Sequence, residues 1–164
     1  MHAFLTAALF AVTWATSLAS SANAAPATTD LAKAAGMTLN VDGRIRNACD
    51  EDVTPIVSDI DFGGAVGITS LLVIPGGEAM PTCYGDVPGD MYLFATDGEG
   101  YRQIFQGGGY IMVLPTTQNG VHNFALGGPG MTFPVFSWDG STFVSSGSIS
   151  NDDLSAMGTL PSYP

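Results

Sequence analysis

The chain has 164 residues and carries 15 acidic against four basic side chains, a net charge of −11. A surface that acidic repels phosphate backbones and anionic lipid, which excludes nucleic-acid binding and membrane-surface binding. Apolar residues make up 46 % of the chain, enough to exclude global disorder. The 21 glycines exclude a helical bundle, because glycine is disfavoured in helix interiors.

Ala3 to Val12 is an apolar run that leads through small and polar residues to Ala22-Asn23-Ala24. This is the pattern of a secretory signal, so residues 1–24 are expected to be a signal peptide cut after Ala24. A cut after Ala25 would place Pro26 at the scissile bond. A run of about ten residues is too short for a hydrocarbon core of ~30 Å. The mature chain is therefore expected in the periplasm or outside the cell, with no membrane insertion. In such an oxidising compartment Cys49 and Cys83, the only two cysteines, are expected to form one disulfide. There is no C-x-x-C pair and only His122 remains after processing, so no zinc site and no cofactor is expected.

Residues 25–37, which begin Ala25-Pro26-Ala27-Thr28-Thr29, are small and polar, and read as a flexible mature N-terminus or one weak helical turn. Thr38 to Asp42 alternates like a strand, with a second short run through Ile45 after Gly43. Thr54 to Phe62 and Ile68 to Ile74 are the next strands, the latter apolar enough to be central. Pro75-Gly76-Gly77 ends it, and Pro81 to Asp90 is a turn-rich loop pinned by Cys83. Met91–Thr96 and Tyr101–Gln106 flank Asp97-Gly98-Glu99-Gly100 as a hairpin. Tyr110–Leu114 is a strand, Asn119-Gly120 signals a type I′ turn, and Val121–Leu126 is the strand after it. After the Gly127-Gly128-Pro129-Gly130 bend, Phe133–Trp138, Asp139-Gly140 and Ser141–Val144 form a second hairpin. The expected fold is all-β over residues 38–146, an antiparallel β-sandwich or small open barrel of about eight to nine short strands. Residues 147–164 are expected to be a loose tail except around Leu154 and Met157.

The two hairpins share a pattern of aromatic, Asp-Gly, aromatic: Phe94…Asp97-Gly98…Tyr101 and Phe136…Asp139-Gly140…Phe143, offset by 42 residues. That period is the size of a propeller blade, although two copies cannot close a propeller. The runs Cys83-Tyr84-Gly85-Asp86, Gly127-Gly128-Pro129-Gly130 and Phe136-Ser137-Trp138-Asp139-Gly140 resemble those of small exported bacterial proteins of unassigned function. Their Asp-Gly hairpins are similar to those of FG-GAP-type propeller repeats. The resemblance spans roughly residues 80 to 145 and implies β structure and export. The calcium-loop pattern of those repeats is missing, so no functional residue is carried over.

His122 is the one candidate general base, but no G-x-S-x-G elbow supplies a nucleophile, and a strand-end histidine is the plainer meaning. Carboxylates for hydrolysis would come from Glu78, Asp86, Asp90, Asp97 and Glu99, with Arg102 or His122 assisting. All five sit in turn segments beside Gly or Pro, where turn geometry explains them. Asp50-Glu51-Asp52 offers oxygen ligands, but three consecutive side chains diverge, so no metal site is expected. The glycine runs match no phosphate-binding motif. Tyr84, Asp86, Asp90 and Trp138 are the candidate binding residues, because aromatic rings stack on sugars and anchor interfaces. No catalytic residue is assigned. The functional expectation is an exported, non-catalytic binding or inhibitor-type protein, its partner a cationic protein or a small ligand or glycan. The alternatives are a cell-envelope scaffold, or a small exported hydrolase using carboxylates between Asp86 and Glu99.

Overall fold

The computed structural model describes residues 28–85, 87–98, 100–158 and 161–164; the expected signal peptide, Asp86 and Glu99 lie outside them. β3 (Ile56–Asp61), β4 (Ile68–Pro75), β5 (Gly89–Thr96) and β6 (Tyr101–Gly108) form a four-stranded antiparallel sheet in sequence order. The apolar run in β4 is buried without a break from Thr69 to Ile74. A strand that buries successive residues must be covered on both faces, because its side chains alternate. Leu71, Val73, Met91, Leu93 and Ile104 point into the main core. Leu72, Ile74, Tyr92 and Phe94 point the other way, into a second cluster.

β7 (Tyr110–Gln118), β8 (Val121–Gly127), β9 (Thr132–Trp138), β10 (Phe143–Ser150) and β11 (Ser162–Tyr163) make the second sheet, ordered β10-β9-β8-β7-β11. Its inner face meets the first sheet through aromatic rings. Phe124, fully buried, has ring centroids 5.0 Å from Phe105, 5.2 Å from Phe136 and 5.0 Å from Phe143. These tilted and offset contacts are the favoured geometries of aromatic pairs. The fold is thus all-β, a sandwich of nine strands in two antiparallel sheets that do not close into a barrel. A separate two-stranded ribbon, β1 (Ile45–Arg46) with β2 (Asp52–Val53), lies outside both sheets.

Two glycine-bearing turns set this topology. Asn119 and Gly120 have φ of 55° and 76°, the type I′ turn that matches strand twist between β7 and β8. Gly109, at φ 130°, joins β6 to β7, where the chain leaves one sheet for the other. A Cβ there would overlap the Gly127 carbonyl oxygen, so the crossing needs glycine.

Three expectations are refined or corrected. Of the two readings of the mature N-terminus, flexible or one weak helical turn, residues 28–37 follow the helical one and extend it. Thr28–Ala34 forms α1, whose Leu31 and Ala32 are completely buried against the outer face of the four-stranded sheet. Seven residues are too few for a helix to persist alone in water, and the helix exists because that apolar face needs a cover. Thr38 to Asp42 is not a strand. Asn40 Oδ1 accepts the amides of Asp42 and Arg44 at 3.0 and 2.9 Å, and such local bonds compete with a ladder. Residues 147–158 and 161–164 carry regular structure beyond the surroundings of Leu154 and Met157, the only part of the tail expected to be ordered. β10 runs to Ser150, whose Oγ accepts the Asp153 amide at 3.1 Å as the N-cap of α3 (Asn151–Ala156). Leu154 of α3 packs on the outer face of the second sheet with Met112, Leu114, Phe133 and Ile149, and β11 pairs with β7 beyond it.

The two Asp-Gly hairpins, β5–β6 and β9–β10, fall in facing sheets and not in neighbouring blades. They share turn chemistry. Asp97 Oδ1 accepts the Gly100 amide at 3.1 Å, and Asp139 Oδ1 accepts those of Ser141 and Thr142 at 2.7 and 2.8 Å.

Candidate functional site

Cys49 and Cys83 are joined, with Cα atoms 5.6 Å apart and a sequence separation of 34. The bond ties the β1–β2 turn to α2 (Met80–Cys83), the short helix after β4. Two of the candidate binding residues meet at this corner. Tyr84 donates its hydroxyl to Asp90 Oδ2 at 2.9 Å and accepts the Ala48 amide at 3.1 Å. Burial pushes the Tyr84 phenol above its ordinary value; the Ala48 amide pulls it down, and the Asp90 carboxylate pushes it up. The phenol is therefore a settled donor whose both ends are engaged within the chain. Asn47 completes the corner: its Oδ1 accepts the amides of Cys49 and Glu51 at 2.9 and 3.0 Å, and its Nδ2 donates to Pro75 O at 3.0 Å. These contacts hold a loop in place and engage the Tyr84 hydroxyl as both donor and acceptor.

Trp138, expected to be a binding aromatic, is only 6 % exposed. Its ring lies 5.4 Å from that of Phe143 in the main core. The inner face of β9 decides this, since alternation along the strand turns Trp138 inward with Phe136. The third candidate, Asp86, lies outside the described residues.

The acidic triplet diverges. Asp50 and Asp52 face Arg46 at 2.8 and 3.7 Å, while Glu51 turns away to accept the Ala79 amide at 3.3 Å. Glu78 and Asp97 are exposed. Arg102 donates to Ser141 O at 2.7 Å, linking β6 to the β9–β10 turn.

His122 stands at the start of β8, half-buried, opposite a break in the β7–β8 ladder. The register passes from Val113↔Phe124 to Thr117↔His122, so β7 carries two extra residues in a bulge that contains Pro115. A proline cannot donate to a ladder and is accommodated at such bulges. The bulge hands the Leu114 carbonyl to the imidazole, with Nδ1 at 2.8 Å from Leu114 O. A carbonyl can only accept, so Nδ1 carries the proton, and in the neutral ring Nε2 is left as an acceptor. Nε2 has no hydrogen-bond partner among the described residues. The His122 amide donates to Phe62 O at 2.8 Å, which ties the end of β3 to β8.

Among the described residues, His122 and Asp61 are the polar side chains of a cavity of about 370 Å³ beside this bulge. Val113, Leu114, Pro115, Met157 and Pro161 supply its apolar walls. The volume lies near the lower end of small-ligand pockets, roughly 300–1,000 Å³. Asp61, at the end of β3, spends Oδ1 on the Gly63 amide at 2.8 Å. Sequence reasoning weighed His122 but passed over Asp61. The available signal was Asp61-Phe62-Gly63-Gly64, an Asx-turn pattern, yet nothing local shows that this turn meets His122 from a strand 60 residues on.

Comparison of the chain with family models, curated proteins and solved structures returns no match. The site therefore stands on this chain's own residues.

Proposed function

We propose that this chain is an exported, non-catalytic binding protein whose partner is a cationic protein. The observation that carries this reading is uncompensated charge. Among the described residues both ion pairs belong to Arg46, with Asp50 and Asp52, and the Arg102 guanidinium donates to a backbone oxygen. The other carboxylates have no basic side chain within ion-pair distance among the described residues, on a chain of net charge −11. Such a field steers association with a basic partner and weakens as salt screens it. Export rests on the leader pattern in residues 1–24, and the Cys49–Cys83 bond and the lack of any described helix long and apolar enough to cross a membrane agree with it.

The test is a pull-down with the full-length chain, processed by its own host and tagged at the C-terminus, from culture fluid and envelope extract. A cationic protein should be captured in stoichiometric amount at roughly 0.05 M salt and released at roughly 0.5 M, where the screening length falls to a few ångströms. Capture of neutral or acidic proteins only, or retention indifferent to salt, would refute the electrostatic reading.

A further inference from the structure

We infer that the cavity at the β7 bulge is a binding pocket for a primary ammonium group on an aliphatic stem, a lysine side chain being the form a protein partner would present. This pocket deepens the binding role proposed for the chain, and rests on it for the nature of the partner. Among the described residues the cavity's polar side chains are Asp61 and His122. No lysine, arginine, hydroxyl or amide side chain lines it among the described residues, and its two prolines have no N–H to offer. The side-chain polarity that the described residues give it is therefore that of acceptors. The Leu114 carbonyl holds the proton on Nδ1 at 2.8 Å, so in the neutral ring Nε2 presents a lone pair. Asp61 adds a negative charge. At the described side chains an anion or a carbonyl ligand would meet two acceptors and no donor, whereas an ammonium carries three donors and no acceptor.

The walls decide between cations. Val113, Leu114, Pro115 and Met157 offer apolar contact to a methylene stem, and 38 % of Met157 is exposed, which is apolar surface that a stem would cover. A guanidinium is best held by both oxygens of one carboxylate. Asp61 Oδ1 already accepts the Gly63 amide at 2.8 Å, so a bidentate fork would have to share that oxygen, whereas a point-like ammonium can be held by Oδ2 alone.

Two features make this a formed site and not an incidental dent. The bulge fixes the ring, since Leu114 O would otherwise belong to the ladder. The His122 amide is bonded to Phe62 O at 2.8 Å, which sets the spacing between the strand carrying Asp61 and the strand carrying His122. Both groups are thus placed by backbone contacts between the two sheets.

The probes are Nα-acetyl-lysine methylamide, its norleucine counterpart, which has the stem without the ammonium, and its arginine counterpart. Each is titrated into the full-length processed chain and followed by NMR at the Met157 methyl, the Leu114 methyls and the His122 ring. The lysine probe should give saturable shifts at all three, with a dissociation constant on the order of millimolar. Norleucine and arginine should bind at least about tenfold more weakly. Asp61→Asn, at an exposed position, should weaken the lysine probe by about tenfold. His122→Asn, which can keep a donor near Leu114 O while removing Nε2, should do the same with the near-UV circular dichroism unchanged. Equal binding of norleucine, preference for arginine, or no saturable shift at these groups would overturn the inference. If the pull-down captures a salt-sensitive cationic protein and Asp61→Asn captures it equally, the pocket fails while the proposed function stands. If the lysine probe binds as described and no cationic protein is captured, the pocket stands and the proposed function fails.

Discussion

Leu31→Ala tests the least expected part of the fold, the docking of α1 on the four-stranded sheet. Leu31 is completely buried beside Ala32, Ile45, Leu72, Ile74, Tyr92 and Phe94. Burying a leucine side chain contributes about 1.5–3 kcal/mol, and truncations in rigid cores reach 2–5 kcal/mol once a cavity is left behind. α1 has only seven residues, and so short a helix can settle into the gap. The cost should then stay near the transfer value, at about 2–3 kcal/mol. For a domain of this size that lowers Tm by about 6–9 °C and the urea midpoint by on the order of 1 M. The assay is a pair of urea and thermal melts on Leu31→Ala and on Lys33→Ala, an exposed position of the same helix. The lysine variant should remain within about 0.5 kcal/mol of the parent. If Leu31→Ala also stays within 0.5 kcal/mol, α1 contributes nothing to the fold and the outer face of β4 and β5 is covered by something else.

Replacing Cys49 and Cys83 together by Ser opens a loop spanning 34 residues and should cost up to about 4 kcal/mol in the chain-entropy account; a loss under about 1 kcal/mol in urea melts would show that the corner is held by Asn47 and Tyr84 instead. Tyr84→Phe removes the bonds to Asp90 and the Ala48 amide and should cost about 1–2 kcal/mol at neutral pH. Because folding raises the Tyr84 phenol above its ordinary 10.0, the folded chain holds this proton where the unfolded chain has released it. Stability therefore falls as pH rises from about 10 through the folded value, and Tyr84→Phe should show a shallower alkaline loss, the remainder reflecting Tyr92, which is raised by the same burial. Asp139 is held below its ordinary 3.8 by the Thr142 and Ser141 amides; its contribution is present above that value and lost as pH falls through the folded one, so Asp139→Asn should flatten acid unfolding in that window, and an Asp139 carboxyl that titrates by NMR at 3.8 would contradict the hairpin geometry.

The strands from Ile56 to Val144 were legible because each is a β-prone run between Gly, Pro, Asn or Asp turns, as at Asn119-Gly120 and Asp139-Gly140. The same local logic misled at Thr38–Asp42, where alternation was present but Asn40 took the backbone amides for itself. It also fell short at both ends of the chain. Leu31 sits in a segment that reads as flexible or as one weak helical turn, and Leu154 in a tail that reads as loose except around it and Met157; each is recruited by an apolar sheet face that no local window contains. Trp138 shows the converse: its aromatic character was plain, but only the position of β9 over the core decided that it faces inward.

The sequence by itself determined an acidic, all-β, disulfide-tied chain with its turns in place, because charge, alternation and turn residues are local quantities. Tertiary structure alone decided that the sandwich is covered on both outer faces, and that Asp61 and His122 share a cavity. Each of those outcomes joins residues dozens of positions apart, and the free energy that brings them together comes from burying apolar faces whose partners are chosen only when the two sheets pack.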